Sequence, residues 1–196
     1  MPLPYPDLRG HGMQLLALGQ AHAEGLRQAS IDGDTGNLAY TSVPGPDIQS
    51  VDAYIQVALS GYLAGHMQAF AVCRDDGEVL GTTRYYDIDP STPTLAIGYT
   101  YYAARAQRTH VNTACKLLLL GNAFESMGVR TVYFHTSHLN LRSQAAISRL
   151  GARLDGILRQ HRLHKDGSLR HTHTYSILDT EWPAIKAGLE ARLNRP

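Results

Sequence analysis

The chain has 196 residues, 43% hydrophobic and 18% charged, the balance of an ordinary globular protein with one domain and a substantial core. A formal net charge of +1 provides no global field for nucleic acid or an anionic membrane, and the locally basic stretch from Arg149 to Arg170 reads as a solvated hairpin. No run is long enough to span a bilayer, and Met1 to Pro6 carries neither the basic nor the apolar region of a leader. A cytoplasmic protein without a membrane anchor is therefore expected. Cys73 and Cys115 sit in apolar surroundings at no metal-ligand spacing, as reduced buried thiols do.

In chain order, His11 to Leu18 is the first strand candidate. Gly19 to Ser30 has the Ala and Leu spacing of a helix, with Gly25 as its weak point. Asp32 to Asn37 and Val43 to Asp47 are loops by composition. Asp47 or Ser50 caps a second helix to about Tyr62, with Val51, Ile55 and Leu59 on one face. Met67 to Arg74 reads as a strand, Asp75-Asp76-Gly77 as a turn and Glu78 to Ile88 as its hairpin partner. Pro90 to Pro93 then turn the chain into a strand from Thr94 to Tyr102. A helix from Asn112 to Met127, a strand from Thr131 to Thr136 and a helix from Asn140 to Leu150 stopped by Gly151 follow. The chain closes with strands at Leu154 to Leu163 and Thr172 to Leu178 around a turn at Asp166-Gly167, then a helix from Glu181 to Leu193. This is a mixed, mostly antiparallel α+β sheet in which the crossover helix before Thr131 creates one parallel pairing.

The stretch from Leu95 to Leu120 organises the rest. An apolar segment passes through a basic loop, Arg105 to His110, into a helix whose first backbone N–H groups point outward, an arrangement that suits a phosphate or pyrophosphate. Gln107-Arg108-Thr109-His110-Val111-Asn112 resembles the Q/R-x-x-G-x-G/A loop of GNAT-superfamily acyltransferases. His110 stands at the first Gly of that pattern and Asn112 at the second Gly or Ala, and both residue types tolerate unusual backbone angles. Asn140-Leu141-Arg142-Ser143, with Ala146-Ile147 and Arg149-Leu150-Gly151-Ala152, resembles the N-x-x-S…A-I-x-x-L-G segment of the RimJ/RimL-type branch. Gly81 to Tyr85, Asp87 to Pro90, Ile97 to Thr100, Asp166 to Ser168 and Tyr175 to Leu178 also match in order. Together the pieces span roughly residues 80 to 183, and ordered agreement is more specific than any one of them.

The resemblance implies a GNAT fold over residues 1–196, its parallel pair splayed at the CoA site. Acceptor-groove helices at about 19–62, a CoA-binding core at about 67–178 and a closing helix at about 181–193 would make up that domain. It implies acetyl-CoA as acyl donor, transferred without a metal by direct attack of an amine in a ternary complex, and a homodimer that completes the groove. The implied cofactor contacts are Tyr101, Tyr102, Gln107, Arg108, Thr109, His110, Val111, Asn112, Thr113, Asn140 and Ser143.

Acyl transfer needs a neutral amine, a stabilised oxyanion and a proton for the departing thiolate. Many relatives protonate the thiolate from a tyrosine where this chain has Ile147; the N-x-x-S serine, Ser143, is the implied acid, or else it only braces the first turn of its helix or the pantetheine arm. Asn140 reads as the cap of that helix, as a cofactor contact, or as both. Where many relatives carry a basic Glu this chain has Ala96, which leaves Asp87 and His161 as candidate bases. Backbone N–H groups near Tyr101 and Tyr102 would hold the oxyanion, and Arg105 and Arg108 would reach CoA phosphates. Among ten histidines, His171 with His173 and His161 with His164 lie close in sequence, yet no carboxylate or Cys completes a zinc set. Trp182-Pro183 reads as a packing anchor. The acceptor is either a protein N-terminal α-amine or a small amine or antibiotic. The alternative is a catalytically weak GNAT-fold protein that binds CoA or a metabolite.

Overall fold

The structure is a computed structural model that describes residues 3–32 and 42–194; residues 33–37 of the expected Asp32 to Asn37 loop lie outside them. The strands are β1 (Leu8–Gly10), β2 (Met13–Ala17), β3 (Met67–Arg74), β4 (Val79–Asp89), β5 (Thr94–Tyr102), β6 (Thr131–Ser137), β7 (Arg153–Leu163) and β8 (Leu169–Leu178). Among the described residues they form one sheet in the order β1-β2-β3-β4-β5-β6-β8-β7, with only β5 and β6 parallel. The helices are α1 (Ala23–Ile31), α2 (Ile48–Leu63), α3 (Val111–Gly121), α4 (Leu141–Leu150) and α5 (Trp182–Leu193).

Both faces of the sheet are covered. On β3, Phe70 and Val72 enter the large core with α3, α4 and α5, while Ala69, Ala71 and Cys73 face α1 and α2. This alternation explains why seven of the eight β3 residues are buried. Asp47 caps α2, its Oδ1 accepting from the Ser50 N–H at 2.8 Å, and Val51 and Ile55 are buried at the foot of the helix. Trp182 anchors α5: its ring stacks on Phe124 with centroids 5.6 Å apart and its Nε1 donates to Glu125 Oε1 at 2.7 Å. Cutting so large a buried ring to Ala costs about 3 to 5 kcal/mol. Cys73 and Cys115 are free buried thiols, each pushed up to about 11 by burial.

Three expected boundaries move. The strand expected from His11 to Leu18 is β2, which begins at Met13 after the short β1, because His11 (φ 55°) and Gly12 (φ 74°) form the turn between the two. Residues 20–22 form a 3₁₀ turn before α1 starts at Ala23. The long helix expected to Met127 closes its α-helical part at Gly121 and widens into a π turn over Asn122–Ser126, where the Met127 N–H reaches the Asn122 carbonyl.

Two irregularities shape the middle of the sheet. The β4–β5 register shifts between Thr82 and Arg84, and opposite that shift Tyr99 adopts φ 50°, a bulge in β5. On its other side β5 pairs with β6 only through Thr94↔Thr131, Leu95↔Val132 and Ala96↔Tyr133. From Ile97 and Phe134 onward the two strands part, each continuing beside its outer neighbour. The parting opens a cleft inside the sheet.

Candidate active site

The cleft points at two helix N-termini, because parallel strands deliver the chain from their C-terminal ends into α3 and α4. At the first, the sole left-handed residue of the loop is Arg108 (φ 62°), whereas His110 has ordinary helical angles (φ −66°, ψ −18°). His110 thus needs none of the angular tolerance expected of it; it is simply the exposed N-cap residue. Thr109 braces the loop by donating from Oγ1 to the Ala106 carbonyl at 2.7 Å and accepting from the Val111 N–H at 3.3 Å. Val111 is buried in the core, and no side chain caps the half-buried first turn at Asn112 and Thr113.

At the second N-terminus Asn140 is the cap, its Oδ1 accepting from the Ser143 N–H at 3.0 Å. Ser143 is half-buried, and among the described residues its hydroxyl has no hydrogen-bond partner. Gln144 fixes this end of α4 to β6, donating from Nε2 to the Ser137 and His138 carbonyls at 3.0 and 3.1 Å. Gln107 joins the two lips, donating from Nε2 to the Tyr102 carbonyl at 2.8 Å and accepting from Arg142 Nη2 at 2.7 Å. Arg142, for which the sequence alone suggests no role, therefore stands beside Gln107 at the mouth.

The two loop arginines differ. Arg105 is not a free phosphate donor, because Asp32 at 2.7 Å and Glu78 at 2.8 Å hold its guanidinium, and that correction leaves Arg108 as the cation of the loop without an ion-pair partner among the described residues. The tyrosines diverge as well. Tyr101 packs against α1, its hydroxyl donating to the Ala29 carbonyl, while Tyr102 lies in the opposite core. Ala103 N–H bonds the Leu80 carbonyl in β4, so the alternation of an antiparallel ladder turns the Tyr102 N–H and C=O toward β6 and the Tyr101 N–H away from it. Of the two backbone groups expected to face the cleft, only that of Tyr102 does.

Below the parting, on the α2 face, lies a cavity of about 600 Å³. Asp87, Asp89, Ala96, Tyr133, His135 and Asp155 are among its lining residues. His161 is outside that lining: it is exposed on β7, with Nδ1 3.2 Å from Thr172 Oγ1, so the structure does not bring it together with Asp87 in the cavity. Ile147 is buried in the core and Ala96 lines the cavity, so neither supplies an acid or a base.

Two groups here escaped the sequence reading. Tyr86 crosses over Gly98 of β5, where a Cβ would lie 2.7 Å from its ring, and its hydroxyl comes 3.0 Å from Nδ1 of His135 on β6. Burial holds the Tyr86 phenol well above its usual range, helped by the Asp87 carboxylate, and burial pulls the His135 imidazole below its usual value. Lys116 of α3 is 5% exposed and donates from Nζ to Thr100 Oγ1 at 3.0 Å; burial pushes its ammonium down to about 8. The histidines near the β7–β8 turn are engaged within the protein: His164 bonds Ser137 and Ser168 at 2.9 Å each, and His138 accepts from the His171 N–H at 3.2 Å.

Residues 14–153 match the model of the acetyltransferase (GNAT) domain. The chain belongs to the GNAT acetyltransferase family. A GCN5-related N-acetyltransferase from Brucella melitensis superposes with a TM-score of 0.87 at 29% identity, covering 98% of this chain and 88% of that one. The fold is also that of Mycobacterium smegmatis RimJ in complex with CoA-disulfide, with a TM-score of 0.78 at 17% identity over 93% and 90% of the two chains. It is likewise that of RimL, a ribosomal L7/L12 α-N-protein acetyltransferase in complex with coenzyme A, with a TM-score of 0.73 at 16% identity over 88% and 98%. No curated protein sequence matches the chain. GNAT acetyltransferases use acetyl-CoA, and the mixed sheet with its one parallel pair is the GNAT fold. No helix of the described residues is long and apolar enough to cross a membrane.

Proposed function

We propose that this GNAT protein acts as one domain over residues 1–196 and moves the acetyl group of acetyl-CoA directly to a primary amine in a ternary complex. The observation that carries the reading is the cleft between β5 and β6, which leads from two helix N-termini and the cations Arg108 and Arg142 down to a cavity bearing Asp87, Asp89 and Asp155. An anionic cofactor suits the upper end and a cationic amine the lower. In this reading the pyrophosphate lies on the N–H groups of Asn112 and Thr113 beside Gln107, Arg108, Thr109 and His110, while Val111 seats the helix. The Tyr102 N–H faces the pantetheine and thioester. Asn140 orients the first turn of α4, and Ser143 Oγ gives its proton to the departing thiolate.

Asp87 draws the ammonium form of the acceptor into the cavity, while His161, outside the cavity lining, takes no part as a base. The acceptor class is an N-terminal α-amine, as in RimJ/RimL-type enzymes, or a small amine. An α-amino group, with a reference pKa of about 7.7 to 8.0, needs little help to become neutral, whereas a lysine side chain at about 10.4 needs more. A homodimer is supported by β7, which exposes Leu154, Ile157, Leu158 and Leu163 along an edge strand. Light scattering of the wild type and of Leu158→Glu tests it.

A second reading, a CoA-binding protein of weak activity, is favoured by Ala96 and Ile147 at positions where relatives carry reactive side chains. Calorimetric titration with acetyl-CoA, followed by an acceptor screen of tripeptide amides and simple amines, separates the two. Micromolar binding, about −8 kcal/mol, with turnover of at least one amine supports the transferase. Binding without turnover supports the second reading.

A further inference from the structure

Resting on the acetyltransferase reading, we infer that His135 is the group that takes the proton from the acceptor amine, and that Tyr86 is the positioning residue that sets its tautomer. His135 is the second residue of β6 past the last pairing with β5, Ala96↔Tyr133, so its ring stands where the strands have parted and lines the cavity beneath. Its Nδ1 lies 3.0 Å from Tyr86 Oη, and among the described residues Nε2 has no hydrogen-bond partner.

Tyr86 reaches that point only because β5 carries glycine at position 98, and the Tyr99 ring meets it edge-on at 5.2 Å. On the other side the Tyr133 ring lies parallel to the imidazole, 9° between planes at 6.1 Å. The imidazole is thus fixed between two aromatic neighbours and tied through one nitrogen. In the inferred arrangement Nδ1–H donates to the Tyr86 hydroxyl oxygen, which leaves the Nε2 lone pair as the proton acceptor.

The charged groups that act on His135 come from three further strands: Asp87 on β4, His161 and Arg162 on β7, and Arg170 on β8. The carboxylate favours the imidazolium and the cations oppose it. Burial outweighs the carboxylate, so the ring is neutral when an ammonium arrives. Nε2 takes one proton from the ammonium, and the amine nitrogen attacks the thioester carbon. As the C–N bond forms and the C–S bond breaks, Ser143 Oγ gives its proton to the thiolate, which leaves as a thiol, and the second N–H proton of the former amine restores the Ser143 hydroxyl. The imidazolium returns its proton to water when the product departs.

The test compares wild type, His135→Gln, Tyr86→Phe, Asp87→Asn and His161→Ala on the amine panel, with acetyl-CoA affinity measured beside turnover. His135→Gln is expected to lose on the order of 100-fold or more in kcat with acetyl-CoA affinity within threefold of wild type. Its acid limb in kcat/KM moves up to the titration of the amine itself. Tyr86→Phe is expected to lose about tenfold in kcat and to shift that limb, and ¹⁵N NMR of the wild-type ring is expected to show the Nδ1–H tautomer. His135→Gln turnover within threefold of wild type, a larger loss in His161→Ala or Asp87→Asn, or the Nε2–H tautomer overturns the inference while leaving the acetyltransferase reading intact. A wild type that binds acetyl-CoA and acetylates none of the panel overturns both.

Discussion

The side-chain amide of Gln107 spans the mouth of the cleft, giving a hydrogen bond to the Tyr102 carbonyl at 2.8 Å and receiving one from Arg142 at 2.7 Å. It therefore holds the end of β5 and the start of α4 at one spacing. Gln107→Ala removes two hydrogen bonds worth about 0.5 to 1.5 kcal/mol each, one to a charged partner, and frees Arg142. The expected result is a rise in the acetyl-CoA dissociation constant of about five- to thirtyfold by calorimetry. Unchanged affinity would mean that the lips keep their spacing without the amide.

Lys116 makes stability depend on pH in the alkaline range. Its ammonium is pushed down to about 8 by burial, below the ordinary lysine value, so between about pH 8 and about 10.5 the unfolded chain binds more protons than the folded one. Wild-type stability from this group accordingly rises with pH across that window. Lys116→Met fills the same space without charge and is expected to be more stable at pH 7 by up to about 3 kcal/mol, reduced by about 1 kcal/mol for the lost bond to Thr100. The gap should close by pH 10.5; urea unfolding at pH 7, 9 and 10.5 measures it.

Gly81→Ala attacks the close approach of β4 to β5. A Cβ there would lie 1.9 Å from the Tyr101 carbonyl oxygen, a backbone atom of the paired strand, so β4 and β5 must separate to admit it. A loss of more than about 3 kcal/mol is expected, read as a lower thermal midpoint. Gly156→Ala, whose Cβ meets nothing within 4 Å, is the control that should leave it nearly unchanged.

Ser143 and Asn140 share one hydrogen bond yet are expected to fail differently. Asn140→Ala loses the cap and about 1 kcal/mol of stability. Ser143→Ala keeps the cap, because only its backbone N–H is used there, and is expected to lose about 100-fold in kcat with little change in melting temperature or CoA affinity. A Ser143→Ala enzyme of wild-type turnover would remove the hydroxyl from the acid role.

The elements that sequence made legible are those whose signals are local. Asp47 and Asn140 announce α2 and α4 by cap chemistry, Asp75 to Gly77 announces a hairpin, and the crossover before Thr131 requires the parallel pair. The three-residue β1 was hidden by the glycines around His11, and the end of α3 by a π turn whose residues read as good helix. The loop motif pointed to the right N–H groups but misassigned the strained residue, which is Arg108, and could not know that Asp32, 73 positions away, holds Arg105. His135 was invisible for a related reason. In Thr131 to Ser137 it alternates with apolar residues as a solvent-facing side chain would, and its partner Tyr86 lies 49 positions away across an intervening strand.

The parting of β5 from β6 has a thermodynamic consequence. Interior strands normally satisfy both of their edges, but beyond Ala96 and Tyr133 each of these two lacks its inner neighbour, so the sheet carries a pair of edges within the molecule. In the proposed function the pantetheine arm, an extended chain with amide groups, would complete the ladder as a detachable ninth strand. Such coupling adds about 2.7 kcal/mol to folding stability at a hundred times the dissociation constant. The persistence of the folded enzyme is then tied to the supply of its own acyl donor.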